Sequence, residues 1–236
     1  MLGIILTYYS FPEMLQYQLK NFEKHVKTPY KVFVVDDSPQ GLSLPSVSSD
    51  KNVIYLKSSV LGSTANPSTR HQNAVNNGMN IAQYSCDTFL IFDNDMIFIT
   101  DFYLPQKPWW LPIDCPSFRK GISDDDTKYP WFNLLYIQNF HYFEYYKNSD
   151  SGGSILPYLR DADIITHETT DNILLNEYIT KYEDLSNEYN LHPYQELLQI
   201  NNALVYHFRA MSNYPSFPKD YMEKKKQLIL SYLNQL

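Results

Sequence analysis

The run from Thr88 to Thr100 constrains this chain more than any other, because apolar β-formers stand on both sides of Asp93-Asn94-Asp95. A short apolar run of this kind reads as a fully buried strand. Burying an isolated carboxylate is very costly, so a strand that carries two must bring them to a cleft. Residues i and i+2 of an extended chain point to the same side. The expectation is therefore that Asp93 and Asp95 address one hard divalent cation. The competing expectation is an acidic hairpin turn joining two strands.

The segments before this run alternate in period. Gly3 to Tyr8 reads as a short buried strand, and Pro12 to Lys27 as a helix with Leu15, Leu19 and Phe22 at helical spacing. Lys31 to Val35 is a second strand that stops at Asp36-Asp37-Ser38-Pro39, and Asn52 to Leu56 is a third. Asn66-Pro67 is a start signal for a helix reaching about Tyr84, with His71, Val75, Gly78 and Ala82 on one face. This order predicts an α/β domain with a mostly parallel central sheet flanked by helices.

The second half is less regular. Pro105 to Pro116 reads as an extended loop with Trp109 and Trp110, Ser123 to Asp126 as a turn, and Ser151 to Ser154 as a flexible glycine pair. Pro130 to Tyr146 is densely aromatic, and Thr170 to Leu185 and Lys219 to Leu236 look helical. No internal repeat or linker divides the chain, so residues 1–236 are expected to form a single domain.

Composition removes several classes. With 19 basic and 26 acidic residues the formal net charge is −7, which argues against a general nucleic-acid partner. Cys86 and Cys115 lie in no ligand or disulfide pattern. No apolar window is long enough for a transmembrane segment, and the N-terminal residues lack the basic region of a signal peptide. A soluble, cytoplasmic protein is the expectation. The 21 tyrosines suit stacking on sugar C–H faces, although a coding bias explains them equally well.

Three further groups bear on chemistry. Asp36 and Asp37 follow a strand, where an α/β sheet offers its carboxyl-end crevice to ligands and a carboxylate can accept from a base or ribose. Arg70 falls near a helix start and suits a diphosphate. His207 follows the apolar run Ala203-Leu204-Val205 and is a candidate third metal ligand beside Asp93 and Asp95. Each also has an ordinary reading, respectively a turn, a solvated helix face and a near-surface histidine.

Together these residues resemble the GT-A-type nucleotide-sugar glycosyltransferases, particularly small stand-alone bacterial or large-virus members. The resemblance rests on Thr7-Tyr8, Val35-Asp36-Asp37-Ser38, Arg70 with Asn76-Asn77-Gly78, and Asp93-Asn94-Asp95, and covers about residues 1–100. It implies a Rossmann-like nucleotide-sugar-binding half over residues 1–100 and an acceptor-binding half over 101–236. The triplet is similar to the family's Asp-x-Asp motif, which implies Mn²⁺ or Mg²⁺ held on the diphosphate of a donor, a UDP-sugar being expected. By the same resemblance Asp36 or Asp37 would contact the base, Thr7 and Tyr8 the base and ribose, and Arg70 the pyrophosphate, with Asn94 part of the donor site. Glu168-Thr169-Thr170-Asp171 resembles an acceptor-side acidic segment, which makes Asp171, and alternatively Glu168, the candidate base toward a glycan or other hydroxyl acceptor. Trp109, Trp110, Trp131 and Tyr136 are candidates for shaping the sugar pockets. His207-Phe208-Arg209 is similar to the family's late histidine segment but lacks its usual glycine. The competing functions are a nucleotidyltransferase that makes nucleotide-sugars and a non-catalytic carbohydrate-binding module. The first would carry a glycine-rich signature after its first strand, where this chain has Thr7-Tyr8-Tyr9-Ser10.

Overall fold

The computed structural model describes residues 1–9, 11–38, 52–58, 67–107, 109–110, 113–114, 129–130, 134–140, 166–167, 171–191, 196–208 and 217–236. Strand β1 (Leu2–Tyr8) leads into helix α1 (Pro12–His25), then β2 (Tyr30–Asp36), β3 (Val53–Lys57), helix α2 (Pro67–Ala82) and β4 (Thr88–Asp93). These elements match the alternation read from the sequence. Pro12 starts α1 without a side-chain cap, and its missing N–H is one the first turn would leave unsatisfied anyway.

β5 (Met96–Phe98), β6 (Trp109–Trp110), β7 (Ile113–Asp114), β8 (Tyr129–Pro130), β9 (Leu134–Gln138) and β10 (Thr166–His167) follow. Helix α3 (Ile173–Glu188), β11 (Glu196–Ile200), β12 (Ala203–His207) and helix α4 (Lys219–Leu233) complete the chain. The expected loop from Pro105 to Pro116 thus carries two short strands, β6 and β7. Asn66, Ser123–Asp126, Trp131, Ser151–Ser154, Glu168 and Arg209 lie outside the described residues.

Six strands make the main sheet in the order β3-β2-β1-β4-β9-β6. The first four are parallel, whereas β9 runs antiparallel to β4 and β6 antiparallel to β9. Alternation along the strands divides the core. Ile4, Leu6, Val34 and Leu90 face Leu15 and Phe22 of α1, while Ile5, Phe33, Val35 and Ile91 face Ala74, Val75 and Met79 of α2. Helices therefore cover both faces of a mostly parallel sheet, as expected. Gly78 sets the α2 distance, since a Cβ there would lie 2.6 Å from Ile5 Cγ2 and 2.9 Å from Val35 Cγ2.

One expectation changes. Thr88 to Thr100 is not one strand interrupted by acids, nor a hairpin. β4 belongs to the main sheet, while β5 pairs antiparallel with β12 in a second sheet ordered β10-β11-β12-β5. Asn94 and Asp95 form the turn between them. Beneath this turn the Phe22 and Phe92 rings lie 5.1 Å apart and the Phe92 and Phe98 rings 5.0 Å apart, an apolar floor shared by both sheets. A third core, rich in tyrosine, packs α3 and α4 against β12 through Tyr178, Tyr182, Tyr206, Tyr221 and Tyr232. Among the described residues no helix is long and apolar enough to cross a membrane.

Candidate functional site

Parallel register does the first work of assembly. It sets Thr7 beside Asp93, Tyr8 beside Asp36, and Asp36 beside Lys57, all at the carboxyl ends of their strands. The chain winds from β1 outward through β2 and β3, then returns to add β4 on the other side of β1. The β1–β4 seam is therefore a switch point, the place where open α/β sheets form a ligand crevice outside their carboxyl ends. Thr7 Oγ1 donates to Asp93 Oδ1 at 2.7 Å directly across that seam.

On the β2 side the acids meet fixed cations. Asp36 is buried and accepts from the Ser38 N–H at 2.9 Å, from the Ser38 hydroxyl, and from Lys57 Nζ at 3.1 Å. Arg70, in the first turns of α2, donates from Nε to Asp37 Oδ2 at 3.0 Å and from Nη2 to the Asp37 carbonyl at 2.8 Å. Its guanidinium also lies 5.1 Å from the Tyr9 ring centre. Burial works against the Arg70 charge, but the bonds to Asp37 and Tyr9 outweigh it and raise the pKa. Nε and Nη2 are thus engaged by Asp37.

On the β4 side the facing groups are imidazoles. Asp93 ends β4, its Oδ1 receiving Thr7 and the Asn94 N–H at 3.0 Å, with His71 Nε2 3.8 Å away. Burial lifts the Asp93 carboxyl above its ordinary value of 3.8. His71, Thr7 and His207 pull it down and the neighbouring Asp95 charge pushes it up, so the net direction is upward. Asp95 is buried, with His207 Nε2 at 3.0 Å from its Oδ1 and the Phe208 N–H donating to its carbonyl at 2.9 Å. Asn94 is also buried, its side-chain amide donating to the Tyr9 carbonyl at 3.0 Å. The i and i+2 geometry of a strand does not apply across this turn. Asp93 and Asp95 are brought together by the turn itself, and His207 comes to them because β12 pairs with β5, opposite Met96.

Both hydrogen bonds to Asp93 go to Oδ1, so Oδ2 bonds no described residue. Among the described residues no group of three or more His, Cys, Asp or Glu side chains is arranged to hold a metal ion, so the expected set of Asp93, Asp95 and His207 is not assembled as a three-ligand site. Mg²⁺ and Mn²⁺ sites that act on phosphates characteristically use one or two carboxylates, with water and substrate oxygens completing the shell. The Asp93–Asp95 turn has the donor set for that kind of open site.

Other expected residues fall differently. Tyr8 is only 3% exposed and packs in the core on the α1 side. Burial first, then the Asp36 and Glu13 charges, push its hydroxyl up to about 12. Tyr136 is wholly buried beside Phe102, so it packs the core. Asp171 is exposed and enters no described hydrogen bond or ion pair. The cap of α3 is its neighbour Asn172, whose side chain accepts from the Leu175 N–H at 3.0 Å.

Sequence reading assigned no role to His71, Lys57, Ser38 or Gln18. His71 was visible only as a helix-face position, and Lys57 reaches Asp36 through strand register, which no local pattern encodes. Gln18 did leave a signal, because a glutamine between Leu15 and Phe22 at spacings of three and four interrupts an apolar stripe. No protein-family model matches this chain, and no curated protein matches it.

Proposed function

We propose that this chain is a metal-dependent glycosyltransferase that moves a sugar from a nucleotide-sugar donor, a UDP-sugar by preference, to an acceptor hydroxyl, and that its fold is of the GT-A kind. One observation carries the reading. At the switch point of a parallel sheet, an acid pair balanced by Lys57 and Arg70 stands beside an acid pair faced by histidines. A nucleoside diphosphate bridging a divalent cation presents the complementary set, with neutral donors on its base and ribose and dense negative charge on its diphosphate.

Asp93 and Asp95 are the groups to hold Mn²⁺ or Mg²⁺, with His207 placed to join them or to orient Asp95. When bound, the cation neutralises charge on the departing diphosphate. The chain's own groups supply the rest. Asp36 and Asp37 accept from base and ribose, held in place by Lys57, Ser38 and Arg70. The Arg70 guanidinium is the group to meet a phosphate oxygen, which adds electrostatic support to the leaving group. Thr7 keeps Asp93 aimed across the seam. Asp171, exposed and relieved of the capping duty by Asn172, is the candidate base for the acceptor proton.

A thermal-shift panel of nucleoside diphosphates with and without Mn²⁺ tests the reading. It expects stabilisation by UDP that depends on Mn²⁺ and is lost with uridine. Equal shifts in Mn²⁺ and in chelator would remove the cation from the account, and no shift with any nucleotide would remove the donor.

A further inference from the structure

We infer that Gln18, on the buried face of α1, is a positioning residue that sets the shape of the Asp93–Asp95 turn. Gln18 is fully buried, and its Nε2 donates to the Asp93 carbonyl at 2.7 Å and to the Met96 carbonyl at 2.9 Å. Those carbonyls are the last of β4 and the first of β5, so one amide pins both ends of the acidic turn. Two carbonyl oxygens can only accept, which fixes the amide with its NH₂ toward them. The other end of that amide, Oε1, is buried and accepts no hydrogen bond. A buried polar atom left unsatisfied is destabilising. A leucine on this stripe would spare Oε1 but leave the Asp93 and Met96 carbonyls without their donor, so what the glutamine supplies here is the hold on the two ends of the turn rather than core filling.

A second residue of α1 acts in the same direction. One helical turn on, Asn21 donates from Nδ2 to the Phe98 carbonyl at 2.9 Å and accepts from the Phe98 N–H at 2.8 Å. Its side chain thus does for β5 what a neighbouring strand would do. β5 is an edge strand of three residues paired only with β12 among the described strands. The helix therefore supplies the second edge by side chain, and Gln18 extends that hold into the turn where β4 crosses between sheets.

The functional side of the inference rests on the donor reading above, while the clamp itself is separately measurable. Gln18→Met keeps length and apolar bulk and removes both donors. In the apo protein it should speed amide exchange at Asn94 and Phe208 at least tenfold, since those N–H groups bond Asp93 Oδ1 and the Asp95 carbonyl. Exchange in the β1 and β2 amides should stay within threefold of wild type. Mn²⁺–UDP affinity should fall at least tenfold, with uridine affinity unchanged. Unaltered exchange at Asn94 and Phe208 would overturn the clamp, as would uniform acceleration through the core, which marks a merely structural residue. If the wild-type chain binds no Mn²⁺–UDP, the donor reading fails and the exchange data alone decide the clamp. Should Gln18→Met fail to fold, the wild-type Gln18 side-chain amide provides the same decision by NMR. Both Nε2 protons should be separately resolved and slow to exchange with solvent, and rapid exchange of either would contradict the assignment.

Discussion

The two acid pairs at the carboxyl edge of the sheet look alike in sequence and differ in their surroundings. Asp36 and Asp37 face a lysine and an arginine, cations at any physiological pH. Among the described residues Asp93 and Asp95 face the imidazoles of His71 and His207. The first pair is thus held by fixed cations. The second is crowded, and the crowding shows in Asp93, whose carboxyl is held above the ordinary range by burial and by the Asp95 charge. Two acidic strand ends in one crevice are thus set apart by the side chains that face them.

The largest effect should come from an acid outside both pairs. Asp171 has no described ion pair and caps no helix, so Asp171→Asn should leave stability unchanged. On the proposed role as the acceptor's base, its loss should lower turnover by about 10²–10⁴. Asn172→Ala should show the reverse, a cost of about 1 kcal/mol in stability with turnover little altered. Steady-state transfer and urea unfolding of the two variants separate the roles, and normal turnover in Asp171→Asn would direct the same test to Glu168.

Next in size is the fixed-cation side. Arg70→Ala removes a charge-assisted partner worth roughly 1.5–3 kcal/mol, so UDP affinity should fall about ten- to a hundredfold. It also strips Asp37 of its guanidinium, so a double-mutant cycle with Asp37→Asn should show coupling in fold stability. Additive losses would mean that the 2.8 Å ion pair contributes nothing of its own.

The smallest effect is a pH slope. Because its folded pKa is raised, Asp93 keeps its proton longer in the folded chain than in the unfolded one. Its contribution therefore favours folding in acid and is lost as pH climbs from the ordinary 3.8 through the folded value. Asp93→Asn retains acceptors for Thr7 and the Asn94 N–H yet carries no charge. Relative to wild type in chelator, it should gain stability as the pH is raised above the ordinary carboxylate range. A stability difference that is flat with pH would show that Asp93 is not held protonated by its surroundings.

The sequence made the sheet, its two flanking helices and both acid pairs legible, because buried parallel strands leave unbroken apolar runs and acids break them visibly. The split of Thr88–Thr100 between two sheets was not legible, since a turn of two residues inside an apolar run leaves the β pattern on either side intact. Partners that depend on register escaped for the same reason. Lys57 meets Asp36, and His207 meets the acidic turn, only once strands distant in sequence are laid side by side. Asp171 and Asn172 are adjacent and both competent caps, so composition could not choose between them. Gln18 was the one hidden contributor with a signal, a polar residue on an apolar stripe.

The division of labour between the pairs is tested most directly by calorimetric titration of UDP, with Mn²⁺ and with chelator, into wild type, Asp36→Asn and Asp95→Asn. The account predicts at least a tenfold gain in wild-type affinity when Mn²⁺ is present, a gain that Asp95→Asn abolishes. Asp36→Asn should weaken UDP by the same factor in both conditions and leave the Mn²⁺ gain intact. A Mn²⁺ gain that survives Asp95→Asn, or that disappears in Asp36→Asn, would contradict it.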